Sequence, residues 1–374
     1  MPGLPPQVIA LALLAAAPAA PPKGPGDDCL ACHGELAVKK IVHPPVKNGL
    51  CVACHEPVDD HAHHFRMRAE DKRLCTQCHA ARNTEAVLHN PVVQGLCLAC
   101  HDPHQSDNLA RLRKPVKDTC TQCHPSKRLA DAHAATKHGA LDPEQNPKVC
   151  VACHDPHQSP YAKRLKADPP MEVCLTCHDK VQQSPTGPLL NMKAYLDKYP
   201  ETWMRHGPVR EGQCPACHEP HGTDNLRILK APFPRDFYSP LDAPEQTYGL
   251  CMTCHDKRLL QDRYLKEKAG PSAEVWWAQR EEGARLVREG ITGFRNGDEN
   301  LHWRHVNKPD KGRTCRACHD FHASPNPKHI RDTTRFGNWE FKLNYRKTET
   351  GGGCSPGCHV ERRYDRVNKQ ENPR

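Results

Sequence analysis

The sequence predicts a fold made mainly of short α-helices and irregular coil, with little or no β-structure, wrapped around an interior not built from apolar side chains. Three observations lead there. The 374 residues include 22 cysteines and 26 histidines, far more than a disordered chain would hold. Aromatic residues are only 5% and mean hydropathy is −0.78, which leaves too few large apolar side chains to close the two or three cores this length would need. Proline occupies 36 positions, about twice its usual ~5% share. The ordering material must therefore be disulfides, metals or a covalent cofactor.

The cysteines decide which. Ten pairs read Cys-x-x-Cys with His directly after: Cys29/Cys32/His33, Cys51/Cys54/His55, Cys75/Cys78/His79, Cys97/Cys100/His101, Cys120/Cys123/His124, Cys150/Cys153/His154, Cys174/Cys177/His178, Cys214/Cys217/His218, Cys251/Cys254/His255 and Cys315/Cys318/His319. The eleventh, Cys354/Cys358/His359, carries one extra residue and follows the run Gly351-Gly352-Gly353, read as flexible. No cysteine is left over. This is the attachment signal of c-type haem: two thiols add across the porphyrin vinyl groups, and the adjacent His supplies the proximal imidazole to iron. Zinc sites or disulfides are the competing readings. Neither demands His after every second cysteine, which chance does not produce when 26 residues of 374 are histidine.

The N-terminus reads as a secretory signal over residues 1–22. Val8 to Ala17 is an apolar run too short to span a bilayer, followed by small residues suited to cleavage. Haem is attached outside the cytoplasmic membrane, so the expectation is an exported product, periplasmic or extracellular and outer-membrane associated, with no transmembrane segment in the mature chain.

Successive motifs start 22, 24, 22, 23, 30, 24, 40, 37, 64 and 39 residues apart. This is a repeat array, dense over 23–180 (haems 1–7) and opened by insertions over 181–374 (haems 8–11). Two kinds of motif alternate. One is followed by a short acidic-Pro-His string, as in His101-Asp102-Pro103-His104, His154-Asp155-Pro156-His157 and His218-Glu219-Pro220-His221, with His319-Asp320-Phe321-His322 as a variant. The motifs at Cys75, Cys120, Cys174, Cys251 and Cys354 lack it. Five two-haem units result, preceded by the lone motif at Cys29. Another His precedes each unit: His43, His89, His138, His206 and the His302/His305 pair.

On these residues the chain, over roughly 29–359, resembles the doubled-CXXCH multihaem cytochromes c, bacterial electron-transfer proteins. The resemblance implies a stacked haem array and bis-histidine iron. Counting agrees: eleven irons need a sixth ligand, fifteen histidines remain, and only five methionines lie beyond the first residue. The candidate distal ligands are His43, His89, His138, His206 and His305 upstream, and His104, His157, His221 and His322 downstream. One of His61, His63 and His64 takes the downstream role in the first unit; the spare members of that cluster, or His133, are candidates for the haem of His33. Which distal His serves which iron is not readable.

The formal charge of +9 suggests nucleic acid or anionic membrane until the cofactor is counted. Eleven haems bring 22 propionates, giving about −2 oxidised and about −13 reduced, so the basic residues are local compensation and nucleic-acid binding is not expected. A helix is predicted from Ser272 through about Arg288, and a smaller one within Leu189 to Tyr199. The function expected is electron transfer along about eleven haem c groups between redox partner proteins, an electron carrier rather than a catalyst. The alternatives are a reductase of nitrogen or sulfur oxyanions with one open haem, and a subunit of a self-assembling filament or of a porin-bound conduit.

Overall fold

A computed structural model describes residues 29–58, 64–124, 134–185, 187–234, 236–238, 244–264, 291–308 and 311–373. The signal segment, His61, His63, His133 and the helix expected at 272–288 lie outside these residues. The chain divides into two units, Met1–Thr119 and Cys120–Arg374.

Local structure comes in single turns. A cassette recurs in which a histidine precedes a one-turn helix that ends just before a haem motif. The helices are Pro44–Lys47, Asn90–Val93 and Gly207–Arg210, led by His43, His89 and His206 in extended conformation. Proline in the first turn presets φ where no N–H partner is needed. Gly49, Gly95 and Gly212 then take φ of +67°, +77° and +68°, a left-handed stop that most side chains resist. The interval from histidine to first cysteine is thereby fixed. The predicted small helix forms over Met192–Asp197, with Asn191 accepting from the N–H of Ala194 at 2.8 Å.

Strands are more frequent than the sequence suggests, although each has only two to four residues. In the first unit Ile41–Val42 pairs with Gln105–Ser106, and His55–Pro57 with Phe65–Met67, both antiparallel. The second unit holds the hairpin Thr333–Phe336/Trp339–Lys342 and a three-stranded sheet of Arg346–Lys347, Gly351–Cys354 and Arg362–Asp365. The expectation of little or no β-structure is corrected here: these pairings join segments too short to show a period of two.

The glycine run is also not a flexible linker. Gly351, Gly352 and Gly353 are buried in the central strand. A Cβ at Gly351 would clash with the Tyr364 carbonyl, and one at Gly352 would lie 2.5 Å from that of Arg346. Close backbone approach, not freedom, demands glycine.

Apolar burial is sparse. In the first unit Val116 is buried. In the second, Tyr248, Leu260 and Val306 form a cluster with Met252, Leu259 and Cys315 packed against it. Among the described residues no helix is long and apolar enough to cross a membrane.

Candidate functional site

Each motif is one turn of chain. The His N–H donates to the carbonyl of the first cysteine in the motifs of His33, His79, His101, His124, His154, His178, His218, His255 and His319, at 2.8–3.1 Å. The turn sets two thiols and an imidazole on one side of the backbone. All 22 thiols are free of disulfide bonds. Among the described residues no group of three or more His, Cys, Asp or Glu side chains is arranged to hold a bare metal ion.

The two thiols of a motif are not always equally exposed. Cys32, Cys78, Cys123, Cys177 and Cys358 are exposed, whereas the first cysteines of those motifs, Cys29, Cys75, Cys120, Cys174 and Cys354, are half-buried. Asp71–Thr76, Val116–Thr121 and Pro170–Leu175 end between the two cysteines, which leaves Cys78, Cys123 and Cys177 just past the last turn. Cys32 is the final residue of Cys29–Cys32, and Cys358 lies beyond the strand Gly351–Cys354. Cys100 and Cys254 remain half-buried. Cys100 closes the turn Cys97–Ala99, its N–H on Cys97 O at 3.3 Å, and Cys254 closes its own on Cys251 O at 3.2 Å.

Within a unit, the second thiol of the first motif has thiols of the second motif beside it. Burial first, and then those neighbours, push up Cys54 beside Cys78, Cys153 beside Cys174 and Cys177, and Cys217 beside Cys254 and Cys251. Cys318 rises to about 11, from burial and then from Cys354 and Cys358.

The histidines come in twos. His43 faces His79 with ring centroids 6.0 Å apart, His55 faces His104 at 6.2 Å, and His138 faces His178 at 6.2 Å. His154 with His221 and His206 with His255 are each at 6.2 Å, His302 with His319 at 6.3 Å, and His218 with His322 at 6.4 Å. The ring planes are within 4–22° of parallel. Face-to-face contact needs ~3.5 Å, so these rings do not touch. An imidazole nitrogen about 2 Å from a metal on each side, with each ring centre roughly 1.1 Å further back, places the centroids about 6.2 Å apart. The spacing fits one iron held between two imidazoles. Every pair joins a motif histidine to a non-motif histidine.

The pairing follows a rule. An upstream His faces the second motif of its own unit, as His43 does His79, His138 does His178 and His206 does His255. A downstream His faces the first motif of the preceding unit, as His104 does His55, His221 does His154 and His322 does His218. In the fifth unit His302 faces His319. His302 is absent from the sequence-derived candidate ligands, which had placed His305 in that unit; the structure sets His305 near His359 instead, with Phe294 packed on both His302 and His305. The signal was present: two histidines three apart share one face of the helix Leu301–Val306. His89 holds the same N-cap position as His43, and His157 follows its motif as His104 and His221 do. His64 lies exposed at the edge of the hairpin, its carbonyl accepting from Val58. His33 has its Nδ1 3.7 Å from Glu35.

The acidic-Pro-His string has a job at each residue. The carboxylate of Asp102 accepts from the N–H groups of His104 and Gln105, and Asp155 does the same for His157 and Gln158. The carbonyl of the middle residue takes the Nδ1–H of an upstream His: His43 donates to Pro103 at 2.9 Å and His138 to Pro220 at 3.1 Å. The final His is the ligand candidate, steered in the fourth unit by Glu219, 3.2 Å from the Nδ1 of His221.

The motif histidines are steered too. His101 donates from Nδ1 to Ala110 O at 2.9 Å, His154 to Lys163 O at 2.9 Å, His218 to Arg227 O at 3.1 Å and His319 to Lys328 O at 2.9 Å. The acceptor is nine residues on each time. It lies in a turn with two successive left-handed residues: Ala110/Arg111, Lys163/Arg164, Arg227/Ile228 and Lys328/His329, φ +52° to +62°. Such a conformation costs roughly 1–2 kcal/mol per non-glycine residue, so four repeats of it mark a constraint. Donation from Nδ1 fixes the tautomer that leaves Nε2 free for metal. Burial keeps these rings neutral, as a ligand must be: it lowers His206 and His302 to about 3, and His218 and His319 to about 4.

The attachment thiols of successive motifs meet. The side chain of Cys75 is hydrogen-bonded to Cys97, Cys174 to Cys214 and Cys251 to Cys315. Each contact joins the second motif of one unit to the first of the next, and each uses the first cysteine of its motif.

The family model of the doubled CXXCH motif matches residues 43–84, 89–129, 138–183 and 206–259. Each match begins at an upstream histidine, so the recurring cassette and the family unit coincide. The fifth unit, with its doubled histidine and longer last motif, is not matched. No curated protein matches the chain. Covalently bound haem c is indicated by these matches and the cysteines together, and the residues that face one another fit it. The chain belongs to the doubled-CXXCH family of multihaem c-type cytochromes.

Proposed function

We propose that the protein carries electrons along a row of about eleven bis-histidine haem c groups, from a redox partner at one exposed site to another partner elsewhere, in respiratory or extracellular electron transfer. One observation carries this: seven motif histidines each face a second histidine at the span of a metal. When bound, haem supplies a one-electron iron couple. The chain does the rest. Two imidazoles per site leave no coordination position for substrate and hold the same ligand set in both redox states. The touching thiols, Cys75/Cys97, Cys174/Cys214 and Cys251/Cys315, anchor neighbouring sites side by side across unit boundaries. Arg and Lys in the returning turns, such as Arg111 and Arg164, offset the propionate charge.

The dense array of 23–180 and the opened one of 181–374 are read as one relay, behind an export signal at 1–22. Attachment through the second thiols Cys32, Cys78, Cys100, Cys123, Cys177, Cys254 and Cys358 rests on their place in the motif, not on burial. His89 and His157 are proposed ligands by their place in the repeat, His64 or His61 serves the site of His33, and His305 that of His359. The test is electron paramagnetic resonance of the oxidised holoprotein. All iron low-spin is expected. A high-spin ferric signal that responds to nitrite or a sulfur oxyanion would replace the relay by a reductase.

A further inference from the structure

The strained turn after four motifs is held by hydroxyl and amide side chains that bond a backbone carbonyl of the same turn. In the second unit Ser106 Oγ donates to Leu112 O at 2.5 Å and accepts from the N–H of Asn108, while Asn108 Nδ2 donates to the same Leu112 O at 3.1 Å. The fifth repeats this, with Ser324 on Ile330 O, the N–H of Asn326 on Ser324 Oγ, and Asn326 Nδ2 on Ile330 O at 3.1 Å. The third unit has Tyr161 in the asparagine position, so Ser159 alone holds Leu165 O, at 2.6 Å. The fourth has Thr223, and there Asn225 Nδ2 bonds Leu229 O at 3.0 Å. The residue two before the clamped carbonyl is the one whose own carbonyl takes the proximal Nδ1–H.

We infer that Ser106, Ser159, Asn225 and Ser324, with Asn108 and Asn326, are positioning residues that set the reduction potentials of the haems at His101, His154, His218 and His319. The inference rests on the haem reading above. The clamp holds the left-handed pair, the pair aims a carbonyl at Nδ1, and that bond gives the imidazole partial imidazolate character. A more basic ligand stabilises ferric over ferrous iron, so the clamp lowers the potential at these four sites. Among the described residues the second motifs at His79, His178, His255 and His359 carry no such double turn, so clamped and unclamped proximal ligands alternate along the sequence through units three to five.

Units three and four make the test clean, because each clamps through one side chain. Potentiometric titration of the full-length holoprotein, followed optically, is compared for wild type, Ser159→Ala, Ser159→Thr and Asn225→Leu, with haem content measured by intact mass. The expected result is that one haem equivalent rises in potential in Ser159→Ala and one in Asn225→Leu, at unchanged haem mass, while Ser159→Thr tracks the wild type. Superimposable titrations of the fully loaded alanine and wild-type proteins would overturn the inference, as would a threonine variant displaced as far as the alanine one. If Ser159→Ala loses a haem, Asn225→Leu decides by the same outcomes; loss of haem in both overturns the inference, since the clamp would then retain the cofactor rather than tune it. A wild-type mass without haem additions would instead remove the underlying reading.

Discussion

The inner units and the last one solve the same problem differently. In units three and four the histidine of the first motif faces a histidine of the following unit, His154 facing His221 and His218 facing His322. In the fifth unit His319 faces His302, which stands on the helix Leu301–Val306 ahead of its own motif. Construction changes with it. The second motif of an inner unit lies at the end of a short helix, such as Pro170–Leu175, whereas Cys354 ends the central strand of a glycine-lined sheet. The Tyr248–Leu260–Val306 cluster lies between the fourth motif pair and the fifth, where motifs are 64 residues apart. Where the motifs are dense, few apolar side chains are buried among the described residues. Where they thin out, protein packing and sheet structure return.

That contrast is open to breakage at several points. The largest effect is expected for Gly352→Val, whose Cβ would lie 2.5 Å from Arg346 O and 2.7 Å from the hydroxyl of Tyr364. The sheet cannot form, and intact mass should fall by one haem, with limited proteolysis cutting near the C-terminus. A valine variant with full haem content and unchanged proteolysis would show that the sheet does not build the last site. Next, Leu260→Ala should destabilise the second unit by about 2–5 kcal/mol, read by thermal denaturation of the holoprotein. Smaller in stability but sharper in assignment are the ligand variants. His302→Ala should convert one haem, that of His319, to a high-spin state. His221→Ala should do so for the haem of His154, identifiable by adding imidazole and by the unperturbed titration of the haem attached beside it at His218. If the high-spin haem in His221→Ala is the one bound at Cys214/Cys217, the rule that units complete one another is wrong.

Much of this was legible in the sequence and some was not. The motifs, the two alternating kinds and the recurring upstream and downstream histidines are local patterns, visible because each cassette is set by proline, glycine and spacing within ten residues. The assignment of His104 to His55, or of His322 to His218, is a contact between segments 49 and 104 residues apart, and no local pattern encodes it. His302 shows the same gap, since nothing near the His302/His305 pair says which of the two faces His319. The unequal exposure of the paired thiols was hidden as well: Cys75 and Cys78 look equivalent as letters, yet the first is half-buried and the second exposed. The two-residue strands escaped for a related reason: Ile41–Val42 is a strand because Gln105–Ser106 lies beside it. The glycine run was misjudged because crowding by Tyr364 and Arg346 cannot be seen in Gly351–Gly353 itself. The double left-handed turns were hidden most completely, because Ala, Lys, Arg and Ile at their first or second positions are poor predictors of positive φ.

The central claim is that iron porphyrin, gripped by thioethers and two facing imidazoles, stands where an apolar interior would otherwise be. Intact mass spectrometry of the mature, natively produced chain tests it most directly. The account predicts the polypeptide mass plus eleven haem groups, carried on all 22 cysteines. A folded chain whose mass shows disulfides or zinc in place of those additions would contradict it.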